Sequence, residues 1–394
     1  MSVPLSSFLT PVTAAGGPAP VPESLRRLLS GPTGRFTAAA RFPATARTDP
    51  PADPPATDQA TEPGPSVRVP PLYCPDAVRD DPALGEEVNE RLVAWAEETG
   101  IYRGRLDRLR SNQFGRLFML AHPDCDDPEL LLTAARCGLS EWSVDDHWVD
   151  EGDEADPELI GARLAMAHAV VDPARLPPRY APQFERLVAR EPVLRAFRSA
   201  LGHLSGVASP TQVARLRHEL AVMFVGYGQE AEWRAAERRP AVWEYLLHRY
   251  ENAFFPCMVL TDPVGGYELP PQEFADPRVR RTYLYAGTAN VLLNDLYSMA
   301  KEDPTDTNLP NLIAAEDNCS LQEAVDRAAQ IHDEMMHTVE AEAAVLSASG
   351  SPELKRFLAG VWAWTGGSKE WHATSARYHG ARGEQRTTDR TIQQ

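Results

Sequence analysis

The chain has 394 residues, 43% of them hydrophobic and 24% charged, which is ordinary for a globular protein. Its formal net charge of −17 would repel nucleic-acid phosphates and anionic lipid, and no basic stripe interrupts the acidity, so nucleic acid is excluded as a partner. The five cysteines, Cys74, Cys125, Cys137, Cys257 and Cys319, show neither CxxC nor Cys/His pairing, which argues against a zinc site or a disulfide framework and for a reducing cytoplasm.

From Met1 to about Pro75 the sequence is rich in Pro, Ala, Thr and Gly and has neither helical nor strand periodicity. It reads as a disordered extension, because too few large apolar groups are present to offset the entropy of ordering it. Its one amphipathic stretch is Pro22–Leu29, where Leu25, Leu28 and Leu29 share a face. Pro4 and Pro11 break the only candidate leader, and no apolar run is long enough to span a bilayer.

Residues 76–380 have a different character, with apolar side chains every three or four positions; 381–394 read as a flexible tail. EEVNERLVAWAEETG spaces Val88, Leu92, Val93 and Trp95 as on a helix and stops at Gly100. A second helix begins with Asp127 as N-cap and Pro128 at its first position. Further helical runs follow to Tyr378, no period-2 strand interrupts them, and no fixed-length repeat suggests a solenoid. The expected fold is all-α: a single bundle of about ten helices around a central cavity. Within it, Thr261–Pro270 reads as a broken helix, because Pro263 and the adjacent glycines interrupt it.

Two constellations carry chemistry. Asp145-Asp146-His147-Trp148-Val149-Asp150-Glu151 closes a helical run; on an α-helix Asp146 and Asp150 would share a face, with Asp145 adjacent. Convergent carboxylates at the negative end of a helix dipole need a counterion, and their hard oxygens together with phosphate oxygens suit Mg²⁺. The same residues alone would also suit a solvated helix end, although Trp142 and Trp148 imply an apolar cleft nearby. A neighbouring cluster, Asp124-Cys125-Asp126-Asp127, opens a helix and is explained by capping.

The second constellation is Asn294-Asp295-Leu296-Tyr297-Ser298-Met299-Ala300-Lys301-Glu302. Asn294, Ser298 and Glu302 fall at i, i+4 and i+8, within about an 80° arc over roughly 12 Å of helix. Lys301 offers a cation for phosphate oxygens. Together the two stretches resemble class I terpene synthases, whose DDxxxD motif lies about 150 residues before an NDxxSxxxE motif on a facing helix. The resemblance implies metal ligands at Asp145, Asp146, Asp150, Asn294, Ser298 and Glu302, and three Mg²⁺ ions. It assigns diphosphate contacts to Arg249, Lys301, Arg377 and Tyr378, the last two matching the family's Arg-Tyr pair. It also implies that the break at Thr261–Pro270 points backbone carbonyls into the cavity.

RYENAFFPCMVLTDPVGGYELP, NDLYSMAKE, the GPTG at Gly31–Gly34 and the Pro-rich extension are similar to bacterial 2-methylisoborneol synthases and their 2-methylenebornane-forming relatives. That likeness implies 2-methylgeranyl diphosphate as substrate, a C-methyltransferase using S-adenosylmethionine as functional partner, and admits a homodimer. DDHWVDE and SMAKE depart from the family pattern and bear on product identity rather than on the metal chemistry. Trp142, Phe118, Phe254, Phe255, Trp362 and Trp371 are candidates for the apolar wall. Rival readings are a cyclase of geranyl or farnesyl diphosphate, a chain-elongation enzyme, which would carry two aspartate-rich motifs, and a non-catalytic prenyl-binding protein.

Overall fold

The computed structural model describes residues 67–149, 158–299 and 306–379. The chain divides into two units, Met1–Glu62 and Pro63–Gln394. The first lies wholly outside the described residues, as do residues 381–394 and the site candidates Asp150, Lys301 and Glu302.

Every regular element among the described residues is a helix. α1 (Pro82–Thr99) starts where the Asp81 side chain accepts from the Leu84 amide, and it ends at Gly100, whose φ of 82° only glycine adopts without cost. α2 (Leu106–Asn112) and α3 (Phe114–Ala121) follow, and α4 (Pro128–Val144) opens on Asp127 as the sequence requires. α4 then widens into a single π turn, Asp145–Val149. α5 (Ile160–Val171), α6 (Ala181–Arg190) and α7 (Pro192–Ser205) lead to α8 (Pro210–Ala235), which Ser209 and Gln212 start with a capping box.

α9 (Val242–Glu251) precedes three single turns, α10 (Phe255–Met258), α11 (Thr261–Val264) and α12 (Pro271–Phe274). The expected break is therefore present. Asp262 holds it open, accepting from the Leu269 amide at 2.9 Å and pairing with Arg215 at 3.0 Å. The chain ends in α13 (Pro277–Ser298), α14 (Leu309–Glu316), α15 (Leu321–Ser349), α16 (Pro352–Thr374) and α17 (Ala376–His379).

α13 lies against α15 and α16, α3 packs on both α1 and α16, and α4 packs on α7. Leu92, Phe114, Phe118, Phe357 and Trp364 are among the fully buried side chains, each adding about 1.5–3 kcal/mol of burial. Gly287 lets α13 approach α10, since a Cβ there would stand 2.0 Å from Phe255.

Residues 67–75, expected to belong to the disordered extension, instead pack against the helices. Val69 and Leu72 pack against the core cluster that holds Leu292, Leu312 and Val325. Arg68 and Gln322 exchange two hydrogen bonds of 2.9 Å, the Tyr73 amide donates to Asp333 at 2.7 Å, and Lys369 donates to the Cys74 carbonyl at 3.1 Å. Polar side chains of α15 and α16 satisfy a backbone that has no periodicity of its own, which is why periodicity misses it. All five cysteines are free. Among the described residues no helix is long and apolar enough to cross a membrane.

Candidate active site

A cavity of about 760 Å³ is lined by α4, α8, α9, α13, α17 and the turn at Ala253–Phe254, a size usual for a small-molecule pocket. Its apolar lining includes Trp142, Met223, Tyr227, Phe254 and Val291. Its polar lining includes Asp145, Arg249, Asn294, Ser298, Arg377 and Tyr378, so six sequence candidates from four parts of the chain meet here.

On α13, Asn294 and Ser298 are one turn apart and both reach the cavity. The Asn294 amide donates from Nδ2 to the Tyr378 hydroxyl at 2.9 Å, and His372 Nε2 lies 3.2 Å from the same nitrogen. Asp295, between the two expected ligands, turns into the protein and is 1% exposed. It accepts from the Tyr245 hydroxyl at 3.0 Å, from the Leu309 amide at 3.2 Å, and from Arg249, whose Nε is 3.1 Å away and whose Nη2 is closer still. Burial works against the charge of Arg249, but Asp295, Tyr245 and Glu230 together outweigh it and hold the guanidinium protonated.

The aspartate-rich turn departs from the α-helical expectation. Asp145 reaches the large cavity, whereas Asp146 opens onto a small neighbouring pocket with Tyr102, Arg105, Asn112 and Arg377. Asp146 accepts from the Tyr102 hydroxyl at 2.7 Å and from Arg377 Nη2 at 3.2 Å. The two carboxylates diverge because consecutive residues point about 100° apart around a helix, so Asp145 and Asp146 at the start of the π turn face different sides of it. Asp146 therefore sits against Arg377 and not on the large cavity with Asp145. Tyr102 occupies the left-handed region at φ 56°, uncommon for so bulky a residue, a strain that its bond to Asp146 helps to hold. Burial and then Asp146 push its phenol well up.

The aromatic candidates divide. Trp142 and Phe254 line the cavity, with ring centroids 5.9 Å apart. Phe118, Phe255 and Trp371 are core instead: Phe118 packs on Gly138, Phe255 on Gly287 and Tyr283, and Trp371 on Phe114 with its Nε1 donating to the Asn112 carbonyl. Trp362 is partly buried against the same core. Sequence reasoning missed Tyr102, Tyr245, Asp295 and His372. Asp295 had a signal, standing inside a polar stretch of α13 that helix propensity alone would not choose.

The model for terpene synthase family 2, C-terminal metal binding, matches residues 141–338, a span that includes both motifs. A 2-methylisoborneol synthase of Streptomyces ambofaciens is 38% identical over 364 residues, 90% of this chain and 81% of the relative. The chain belongs to the terpene synthase family. A second 2-methylisoborneol synthase, from Saccharopolyspora erythraea, is 37% identical over 82% of this terpene synthase and 93% of itself. The crystal structure of 2-methylisoborneol synthase from Streptomyces coelicolor with Mg²⁺ and 2-fluoroneryl diphosphate superposes with a TM-score of 0.74 at 37% identity, covering 79% of this chain and 98% of that one. This terpene synthase is accordingly a class I enzyme, a carbon–oxygen lyase and cyclase.

Its described donors suit a hard divalent cation: one carboxylate at Asp145, an amide at Asn294 and a hydroxyl at Ser298 offer oxygen and no sulfur. Among the described residues no group of three or more His, Cys, Asp or Glu forms a metal cluster. One turn before Asp145, the carboxyl of Glu141 also lines this terpene synthase's cavity; burial pushes it well above the usual range, so that it stays neutral.

Proposed function

We propose that this terpene synthase is a Mg²⁺-dependent cyclase of 2-methylgeranyl diphosphate, giving 2-methylisoborneol or a related bornane-type C11 product. One observation carries the reading: Asp145, Arg249, Asn294, Ser298 and Arg377 surround one cavity in a chain 38% identical to a 2-methylisoborneol synthase over 90% of its length.

In this reading Asp145 and Asp150 on one side, and Asn294, Ser298 and Glu302 on the other, hold the metal, with three ions expected. Bound Mg²⁺ supplies charge neutralisation that makes diphosphate a good leaving group. Arg249, Lys301, Arg377 and Tyr378 donate to the diphosphate oxygens and keep the departing group beside the cation it leaves. That proximity lets the allyl cation recapture diphosphate at its tertiary carbon, rotate, and close through terpinyl and bornyl cations, ending by water capture or proton loss. The faces of Trp142 and Phe254 stabilise positive charge, and the apolar lining excludes water until the final step. A substrate methylated at C2 requires a C-methyltransferase acting on geranyl diphosphate, which is the functional partner implied.

The experiment compares kcat/KM for 2-methylgeranyl, geranyl and farnesyl diphosphates at one Mg²⁺ concentration, with products identified by gas chromatography. One methyl in an apolar pocket is worth about 1–3 kcal/mol, so the C11 substrate should lead geranyl diphosphate by roughly 10- to 200-fold and give one dominant bicyclic product. Farnesyl diphosphate as the best substrate would overturn the C11 assignment and leave the cyclase assignment standing.

A further inference from the structure

We infer that His372 is a positioning residue for Asn294: by accepting from the Asn294 amide nitrogen it fixes which end of that amide is offered to a divalent cation. The inference rests on the reading that Asn294 is a metal ligand.

His372 is fully buried on α16. Its Nδ1 lies 2.8 Å from the Ser368 carbonyl, one helical turn earlier. A carbonyl only accepts, so Nδ1 carries the hydrogen; in the neutral ring Nε2 is then a bare acceptor. Asn294 Nδ2 stands 3.2 Å from that acceptor and 2.9 Å from the Tyr378 hydroxyl, so each of the two amide hydrogens has its own partner. In a planar amide the oxygen lies on the opposite side of Cγ from the nitrogen. With the nitrogen occupied twice, Oδ1 is turned away from both partners, and Asn294 itself borders the cavity.

An asparagine ligand has an inherent ambiguity that a carboxylate lacks, since the wrong rotamer presents two hydrogens to a cation. The His372 ring removes that ambiguity and is itself immobilised. Ring centroids of Tyr378, Trp371, Phe254 and Tyr297 stand 4.6, 5.0, 5.9 and 6.1 Å from it. Outer partners of metal ligands commonly act in this way, and their loss costs about 10- to 100-fold in metal affinity.

The test uses the full-length protein and two substitutions that divide the imidazole. His372→Gln places an acceptor near the position of Nε2; His372→Asn reaches the Ser368 carbonyl but supplies nothing to Asn294. Mg²⁺ binding in the presence of inorganic diphosphate is followed by calorimetry, and each variant's unliganded melting midpoint is recorded. His372→Gln should bind Mg²⁺ within about threefold of the parent, and His372→Asn roughly 10- to 100-fold more weakly. Should the Asn variant fail to fold, His372→Phe, which fills the aromatic box without an acceptor, takes its place with the same expected loss. Equal Mg²⁺ affinity in the Gln variant and in the variant without an acceptor would overturn the inference. A parent protein that takes up no Mg²⁺ with diphosphate would instead overturn the metal reading on which it stands.

Discussion

Arg249 and Asp295, on α9 and α13, form an ion pair in which two guanidinium nitrogens, Nε and Nη2, reach the same carboxylate oxygen. Asp295 also receives Tyr245, on the same helix as Arg249, and the amide of Leu309 at the start of α14, so one buried carboxylate fixes the direction of Arg249 and ties α13 to α9 and α14. Asp295→Asn keeps the shape and removes the charge. It should destabilise the fold by about 3 kcal/mol, as loss of one partner of a buried pair does, and lower kcat/KM at least tenfold with helical content retained. Circular dichroism with a denaturant titration checks the first part and steady-state kinetics the second; parental kinetics would contradict the anchoring role.

The two aspartates that open the π turn should separate in their effects. Asp145 lines the cavity, whereas Asp146 is taken up by Tyr102 and Arg377. Asp145→Asn is expected to weaken Mg²⁺ binding by more than tenfold. Asp146→Asn should leave Mg²⁺ affinity within a few fold and raise KM for the diphosphate substrate through a misplaced Arg377. Calorimetry with Mg²⁺ and inorganic diphosphate distinguishes them, and equal losses would return Asp146 to the ligand set.

Glu141 gives a pH signature. It is 4% exposed, Cys257 Sγ donates to its Oε2 at 3.3 Å, and burial raises its carboxyl well above the ordinary 4.5. A group held protonated when folded but free to ionise when unfolded contributes fully below about pH 4.5, and that contribution is lost as pH rises toward the folded value. Glu141→Gln cannot ionise, so its unfolding free energy should improve relative to the parent as pH rises above that point, by at most about 1.4 kcal/mol per pH unit until the folded value is passed. Denaturant melts of both proteins from pH 5 to pH 8 check this; a constant difference across the range would show that Glu141 titrates alike in both states.

The segment 67–76 makes a truncation prediction. A chain beginning at Val67 should keep the parental melting midpoint. One beginning at Ala77 loses Val69, Leu72, the Arg68–Gln322 exchange and the ion pair between Asp76 and Lys369, which is 3.1 Å long. Val69 and Leu72 are partly buried, so each contributes less than the about 1.5–3 kcal/mol of a fully buried side chain, but with the lost hydrogen bonds and ion pair the midpoint should fall in scanning calorimetry.

Much of the fold was legible because helix ends announce themselves: Asp127 with Pro128 opens α4, Gly100 closes α1, and Pro263 with its glycines breaks the chain near α11. Asn294 and Ser298 were legible for the same reason, since α13 is a regular α-helix there and angular spacing holds. Asp146 was not, because its partners Tyr102 and Arg377 lie 44 and 231 residues away in the chain. Nor was the division of the aromatics, because Trp142 and Trp371 look alike in sequence and differ only in what stands opposite them: cavity for the first, Phe114 and the Asn112 carbonyl for the second. Asp295 and His372 escaped for the same reason as Asp146, that their partners lie 46 and 78 residues away.

Translation delivers Asp145 and Asn294 long before Arg377 and Tyr378, the adjacent residues that reach back to Asp146 and to Asn294. A nascent chain therefore carries Asp146 and Asn294 without these two partners until residues 377 and 378 have been made. Polypeptides terminated short of residue 377 lack the tie altogether.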